Sequence, residues 1–175
     1  MATWQQWEGR IINGRFPPRL YLGGSEQSAV YLTEINGSKA AIKLIPSDAA
    51  HAQVQVSRWE LASKLSHPHL VRILDTGRWR ADDEQDMLFA VMEHADENLA
   101  EILPTRRLMP AEASAMLIPT LDVLDYLHGH GMVHGNIKPA NIMAVSDELK
   151  LSSDRMYGEP AGNDSKAAQL IDAVR

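Results

Sequence analysis

His134-Gly135-Asn136-Ile137-Lys138-Pro139-Ala140-Asn141 is the stretch whose reading decides the fold. It sits between two regular elements. Upstream, Pro110 can occupy the first turn of a helix over residues 111–128. Ala115, Ile118, Leu121, Leu124 and Leu127 share one stripe of that helix, which predicts that they are buried. Pro119 falls inside it and is expected to kink or break it, because proline lacks an N–H. Downstream, Ile142-Met143-Ala144-Val145 and Leu149-Lys150-Leu151 predict a hairpin about Ser146-Asp147-Glu148.

Bulk properties narrow the function classes. The chain has 175 residues, 45% hydrophobic and 23% charged, an ordinary globular composition. A net charge of −6 gives no basic footprint for nucleic acid. No apolar run is long enough for a membrane span, and the opening Met1-Ala2-Thr3-Trp4-Gln5-Gln6-Trp7 lacks the basic and apolar regions of a signal peptide. Cysteine is absent, which removes disulfides and thiolate chemistry and fits a reducing, cytoplasmic setting.

Residues 1–19 read as a lead-in whose Trp4 and Trp7 cover part of a sheet. Leu20-Tyr21-Leu22 and Ala29-Val30-Tyr31-Leu32 predict strands about a Gly23-Gly24-Ser25 turn. Asn36-Gly37 predicts a second hairpin leading into Ala40-Ala41-Ile42-Lys43-Leu44-Ile45, which Pro46 stops. Ser47-Asp48 can cap a helix running to about Ser66. On it Val54, Leu61 and Leu65 form a stripe beside Trp59. Residues 70–79 and 87–92 complete five strands, joined by an acidic loop at 81–86. A short helix is expected from Asn98 to Ile102. His128, His130 and His134 span a helix end with no carboxylate or cysteine set, so each reads as a capping or core histidine rather than a metal ligand.

The opening stretch resembles the catalytic loop of the protein-kinase family, H-R-D-L-K-P-x-N. His134, Lys138, Pro139 and Asn141 match, and Ile137 replaces Leu conservatively. Gly135 stands where the family has Arg, and Asn136 where it has the catalytic Asp. Other motifs follow in order from residue 20 to 172. Ala40 to Lys43 resembles V-A-I-K, and His67-Pro68-His69-Leu70-Val71 resembles H-P-N-I-V. Tyr126-Leu127-His128 resembles the Y-L-H before the catalytic loop. The resemblance is closest to bacterial Ser/Thr kinases. It implies an α+β, protein-kinase-like fold: a five-stranded antiparallel N-lobe sheet with helix C, and a mainly helical, truncated C-lobe. The implied division is a lead-in at 1–19, an N-lobe at 20–92, a hinge at 93–96 and a partial C-lobe at 97–175.

The resemblance also assigns site positions. Gly23 takes the first glycine of the glycine-rich loop, while Ser25 and Ser28 replace the others before Val30. Glu26 would bring negative charge towards phosphates. Lys43 is the implied phosphate lysine, Met92 the gatekeeper, and the Glu93 and Ala95 backbones would face an adenine. Asn141 and Asp154 are the implied magnesium ligands, although counting from the strand gives Ser153 instead of Asp154. The D-F-G stretch is Ser152-Ser153-Asp154-Arg155-Met156 here, without Phe or Gly. Counting back from His67 lands on Arg58 where the family has the glutamate that pairs with the lysine. Glu60 lies about 200° round the helix, so either the helix register differs or Lys43 has no partner from it. Few residues separate Tyr157 from a helix expected over 165–174. That leaves little room for a peptide-substrate platform, so the chain reads as an N-terminal fragment of a longer protein or a minimal domain.

Asn136 and Lys138 thus hold degenerate catalytic positions. Loss of a general base costs roughly 10²–10⁴ in rate. The expected function is a pseudokinase domain: a binding or regulatory module with weak or no phosphoryl transfer, acting on a protein partner or on other domains of a longer chain. The alternatives are an atypical ATP-dependent kinase using Lys138, Asn141 and Asp154, and an ATP sensor without turnover. The ligands implied are ATP and magnesium.

Overall fold

The structure, a computed structural model, describes residues 4–47, 49–82, 85–154 and 156–158. The Asp48 cap, the tip of the acidic loop, Arg155 and the helix expected over 165–174 lie outside the described residues.

Strands β1 (Leu20–Ser25), β2 (Ser28–Ile35), β3 (Ser38–Pro46), β4 (Ile73–Asp82) and β5 (Gln85–Glu93) form the expected five-stranded antiparallel sheet. Its order is β1-β2-β3-β5-β4. Asn36 and Gly37 both have positive φ, 50° and 81°, the geometry of a tight hairpin turn. The strand period of two divides β3 between two cores. Ala41 faces helix α1 (Ala49–Ala62), joining Val56, Trp59 and Ala62. Ala40, Ile42 and Leu44 face the opposite way, against Trp7, Ile12 and Phe16 of the lead-in. Phe16 and Phe89 sit 5.7 Å apart, and Trp7 meets Trp79 edge-on at 5.4 Å.

The first hairpin differs from its reading. Gly23, Gly24 and Ser25 continue β1, and the turn moves on to Glu26-Gln27. A bulge between Tyr21 and Gly23 shifts the register. Glycine at 24 is required there, since a Cβ would lie 2.2 Å from the Ser28 carbonyl oxygen. The two strands approach too closely for any side chain at that point.

Helix α1 buries a different face from the expected one. Val54 and Leu61 are exposed, whereas Val56, Trp59 and Ala62 are buried. Trp59 decides the rotation: it carries the largest apolar surface, and its indole N–H donates to the Asp154 carbonyl at 2.7 Å. Leu65, beyond the helix, packs against the same core.

The remaining elements are β6 (Glu97–Asn98), α2 (Leu99–Ile102), α3 (Pro110–Gly129), β7 (Met132–Val133), β8 (Ile142–Val145), β9 (Glu148–Leu151) and β10 (Tyr157–Gly158). β6, β8 and β9 form a small sheet, and β10 pairs with β7. Asn98 caps α2, accepting from the Ala100 amide at 3.0 Å. Pro119 does not break α3, which continues through it. The Ala115 carbonyl that loses its donor belongs to an exposed residue, where water can serve instead.

The apolar stripe of α3 also departs from expectation. Val123 and Leu127 are buried and Leu124 is half-buried, but Ala115, Ile118 and Leu121 are exposed. Only the C-terminal half of the helix meets the core, through contacts with β7 and β9. The two halves of the molecule are joined at the back by backbone bonds. The Val71 amide donates to Leu151, and the Leu151 amide to His69, both at 2.8 Å. Leu70, read as part of a strand, instead forms a parallel bridge to Leu151.

Candidate functional site

A cavity of about 400 Å³ opens between the sheet and the loop after β7. Gly23, Ser25 and Val30 line its roof, and Lys43 its rear. Glu93 and Ala95 line the connection between the halves. Asn136, Lys138, Asn141 and Asp154 line its floor. Every site residue expected from the sequence therefore reaches one cavity. Glu26 does not: it turns outward to a depression shared with Trp4, Pro46 and Asp86. The Glu26 carboxylate therefore does not line the cavity itself.

The sheet positions Lys43 on a buried stretch of β3, where its neighbours across the ladder are Val30 and Ala90. A lone ammonium there would be costly, and it is paired. Lys43 Nζ donates to Asp154 Oδ2, with both side chains about nine-tenths buried. The Ser152 hydroxyl donates to Asp154 Oδ1. Trp59 and Gln55 of α1 hold the Asp154 carbonyl, at 2.7 and 3.3 Å. Helix α1 thus grips the Asp154 backbone and supplies no carboxylate to Lys43. Of the two alternatives left open for Lys43, the structure takes the second.

Ser153 and Asp154 compete for one position in the sequence, and they separate in space. The Ser153 hydroxyl is buried and donates to the Val71 carbonyl at 2.5 Å. The Asp154 side chain faces the cavity.

One oxygen of the Glu93 carboxylate is held by structural partners. Its Oε2 accepts from Lys150 at 2.9 Å and from the Arg72 amide at 3.0 Å.

The opening stretch is held by its own side chains. Asn141 Nδ2 donates to the Asn136 carbonyl at 2.7 Å. The Asn136 amide donates to His134 Nδ1 at 3.3 Å, which leaves Nε2–H of His134 to donate to the Ser152 carbonyl at 2.8 Å. Burial holds the His134 pKa below its ordinary value, opposed by the Ser152 carbonyl and the Asp154 charge. His134 is therefore a neutral scaffold residue. His130 Nδ1 contacts the Tyr126 carbonyl at 2.8 Å, a helix-end contact.

Sequence reading gave Gly135 as a missing arginine and did not foresee its neighbour. Gly135 has φ +64°, and a Cβ there would lie 2.3 Å from the Tyr157 ring. Tyr157 occupies the space above Gly135, and its ring lies 5.8 Å below the Arg58 guanidinium. Gln55 and Tyr157 carried no sequence signal. The glycine between His134 and Asn136 was a signal, since a left-handed backbone favours that residue.

Arg58 lines a second cavity of about 460 Å³ beyond Lys43. The two cavities share Ser28, Lys43, Asn136 and Asp154.

The first cavity fits an adenine nucleotide: backbone at one end, Lys138 and Lys43 at the other. A divalent cation fits this arrangement less well. Magnesium is usually anchored by one or two carboxylates together with waters and the phosphates of its substrate. Both oxygens of Asp154 are engaged, and Asn136 is a neutral amide. Among the described residues there is no group of three His, Cys, Asp or Glu suited to a metal. No helix among them is long and apolar enough to cross a membrane.

Comparison with known proteins agrees with this geometry. The family model described as "Protein kinase domain" matches residues 21–154. A probable serine/threonine-protein kinase of Streptomyces coelicolor is 33% identical over 144 residues, covering 78% of this chain and 21% of that protein. The serine/threonine-protein kinase PrkC of Bacillus subtilis is 32% identical over 143 residues, covering 77% of this chain and 21% of its own length. PknG of Mycobacterium leprae is 28% identical over 157 residues, 82% of this chain and 20% of that kinase. The chain spans about a fifth of the length of these relatives. The match begins in β1 and ends at Asp154, so it takes in the whole sheet, helix α1, the connection and the floor of the cleft: the chain belongs to the protein kinase family.

Proposed function

We propose that the domain is a pseudokinase: it holds an adenine nucleotide in the cleft and acts as a regulatory binding module for a protein partner, with weak or no phosphoryl transfer. One observation carries the reading. The residue at the catalytic-base position, Asn136, is an amide facing the same cavity as the Lys43–Asp154 pair. Phosphoryl transfer rests on positioning and charge stabilisation, with a carboxylate to take the hydroxyl proton. An amide cannot take that proton, and Asp154, the acid beside it, is committed to Lys43 and Ser152.

A second reading, an atypical ATP-dependent protein kinase, is favoured by Lys138, Asn141 and Asp154 lining one cavity. The relatives are named as serine/threonine-protein kinases. Incubation with radiolabelled ATP, magnesium and a general acceptor protein separates the two. Background labelling is expected, together with saturable thermal stabilisation by nucleotide. Labelling that Lys43→Ala abolishes would overturn the pseudokinase reading in favour of the enzyme.

A further inference from the structure

We infer that Arg58 binds the terminal phosphate of the nucleotide, so that side-chain cations neutralise the phosphates without a divalent metal. This deepens the nucleotide-binding reading above and rests on it.

The two cavities meet at Ser28, Lys43, Asn136 and Asp154. A phosphate chain running past Lys43 leaves the first cavity and enters the second. There it meets Arg58, with the amide side chains of Gln27 and Gln55 beside it. A guanidinium presents a rigid fork of donors that matches phosphate oxygens. Among the described residues, the contact recorded for Arg58 is the Tyr157 ring, which orients a guanidinium without neutralising it.

Charge then decides between metal and side chain. Lys43 and Asp154 cancel as a buried pair. The cation left in the first cavity is Lys138, whose lining also holds Glu93, Asp96, Glu97 and Glu101 on the connection and at α2; in the second it is Arg58, with no uncommitted carboxylate among the described lining residues. At Asp154 a divalent ion would have to share the two oxygens with Lys43 and Ser152. It would also stand in the same region as Arg58, cation against cation. An arginine there does for phosphate what a bound metal does elsewhere, with charge already in place.

Isothermal titration of the full chain tests this with ATP and adenosine, each in EDTA and in excess magnesium. ATP is expected to bind in EDTA at least as tightly as with magnesium. R58Q should weaken ATP binding in EDTA about tenfold, the scale of one charge-assisted hydrogen bond. Its affinity for adenosine should not change, and R58K should keep more ATP affinity than R58Q. ATP binding that requires magnesium, or R58Q binding ATP in EDTA like the parent, overturns the inference while leaving the nucleotide reading intact. If neither adenosine nor ATP binds under either condition, the nucleotide reading falls and takes the inference with it.

Discussion

The two faces of the five-stranded sheet and the outer face of α3 show opposite treatments of apolar surface. The sheet is covered on both sides, by α1 on one and by the lead-in on the other. On α3, Leu117, Ile118 and Leu121 are 58%, 76% and 60% exposed. The difference teaches where stability resides. Burial of apolar area is the dominant favourable term in folding, and here it is concentrated around β3 and β5. The cleft lies between the two regimes, roofed by the well-packed part.

The largest test of this contrast is Phe16→Ala. Phe16 is 1% exposed and packs on Phe89. Truncation should cost about 3–5 kcal/mol, the usual range for a buried aromatic, as read by urea denaturation. A loss below about 1 kcal/mol would mean that the lead-in is not a true face of the core.

A pH titration probes the boundary at His134. Its folded pKa is lowered by burial, so the unfolded chain binds the proton more readily. Stability from this residue is complete above the unfolded value of about 6.5 and is lost as pH falls through the folded value. Protonation would also set an Nδ1–H against the Asn136 amide that now donates to it. Denaturation midpoints should therefore fall below about pH 6.5, with a shallower fall in His134→Gln. Equal slopes for the two proteins would remove His134 as the cause.

The smallest effect is expected on α3. Leu121→Gln should change stability by no more than about 0.5 kcal/mol, as exposed substitutions do. A loss of about 2 kcal/mol or more would show that this face is covered in solution, and the contrast with the sheet would disappear.

Much of the fold was legible because hairpins announce themselves locally. Asn36-Gly37 and the strand that Pro46 stops need only their neighbours to be read. The faces of helices were less legible. Val54 and Leu61 fit a helical stripe as well as Val56 and Trp59 do, and what separates them is tertiary: the Asp154 carbonyl waits for one indole N–H. Ile118 and Leu121 misled for a related reason, since periodicity shows which residues share a face but not whether anything covers it. At the site, spacing brought the expected side chains to one cavity. It could not show that Lys43 and Asp154 would pair across 111 positions, or that Tyr157 would lie on Gly135. Those contacts depend on how the two halves meet.

Besides side-chain contacts such as Trp59 to Asp154, the halves meet through the amides and carbonyls of His69, Val71 and Leu151. Every non-proline residue carries those groups whatever its side chain. Substitution can therefore change the cleft position by position, as at Gly135 and Asn136, while the frame that aligns roof and floor is untouched. A joint made in part of main chain lets the chemistry of such a domain drift with less risk to its architecture.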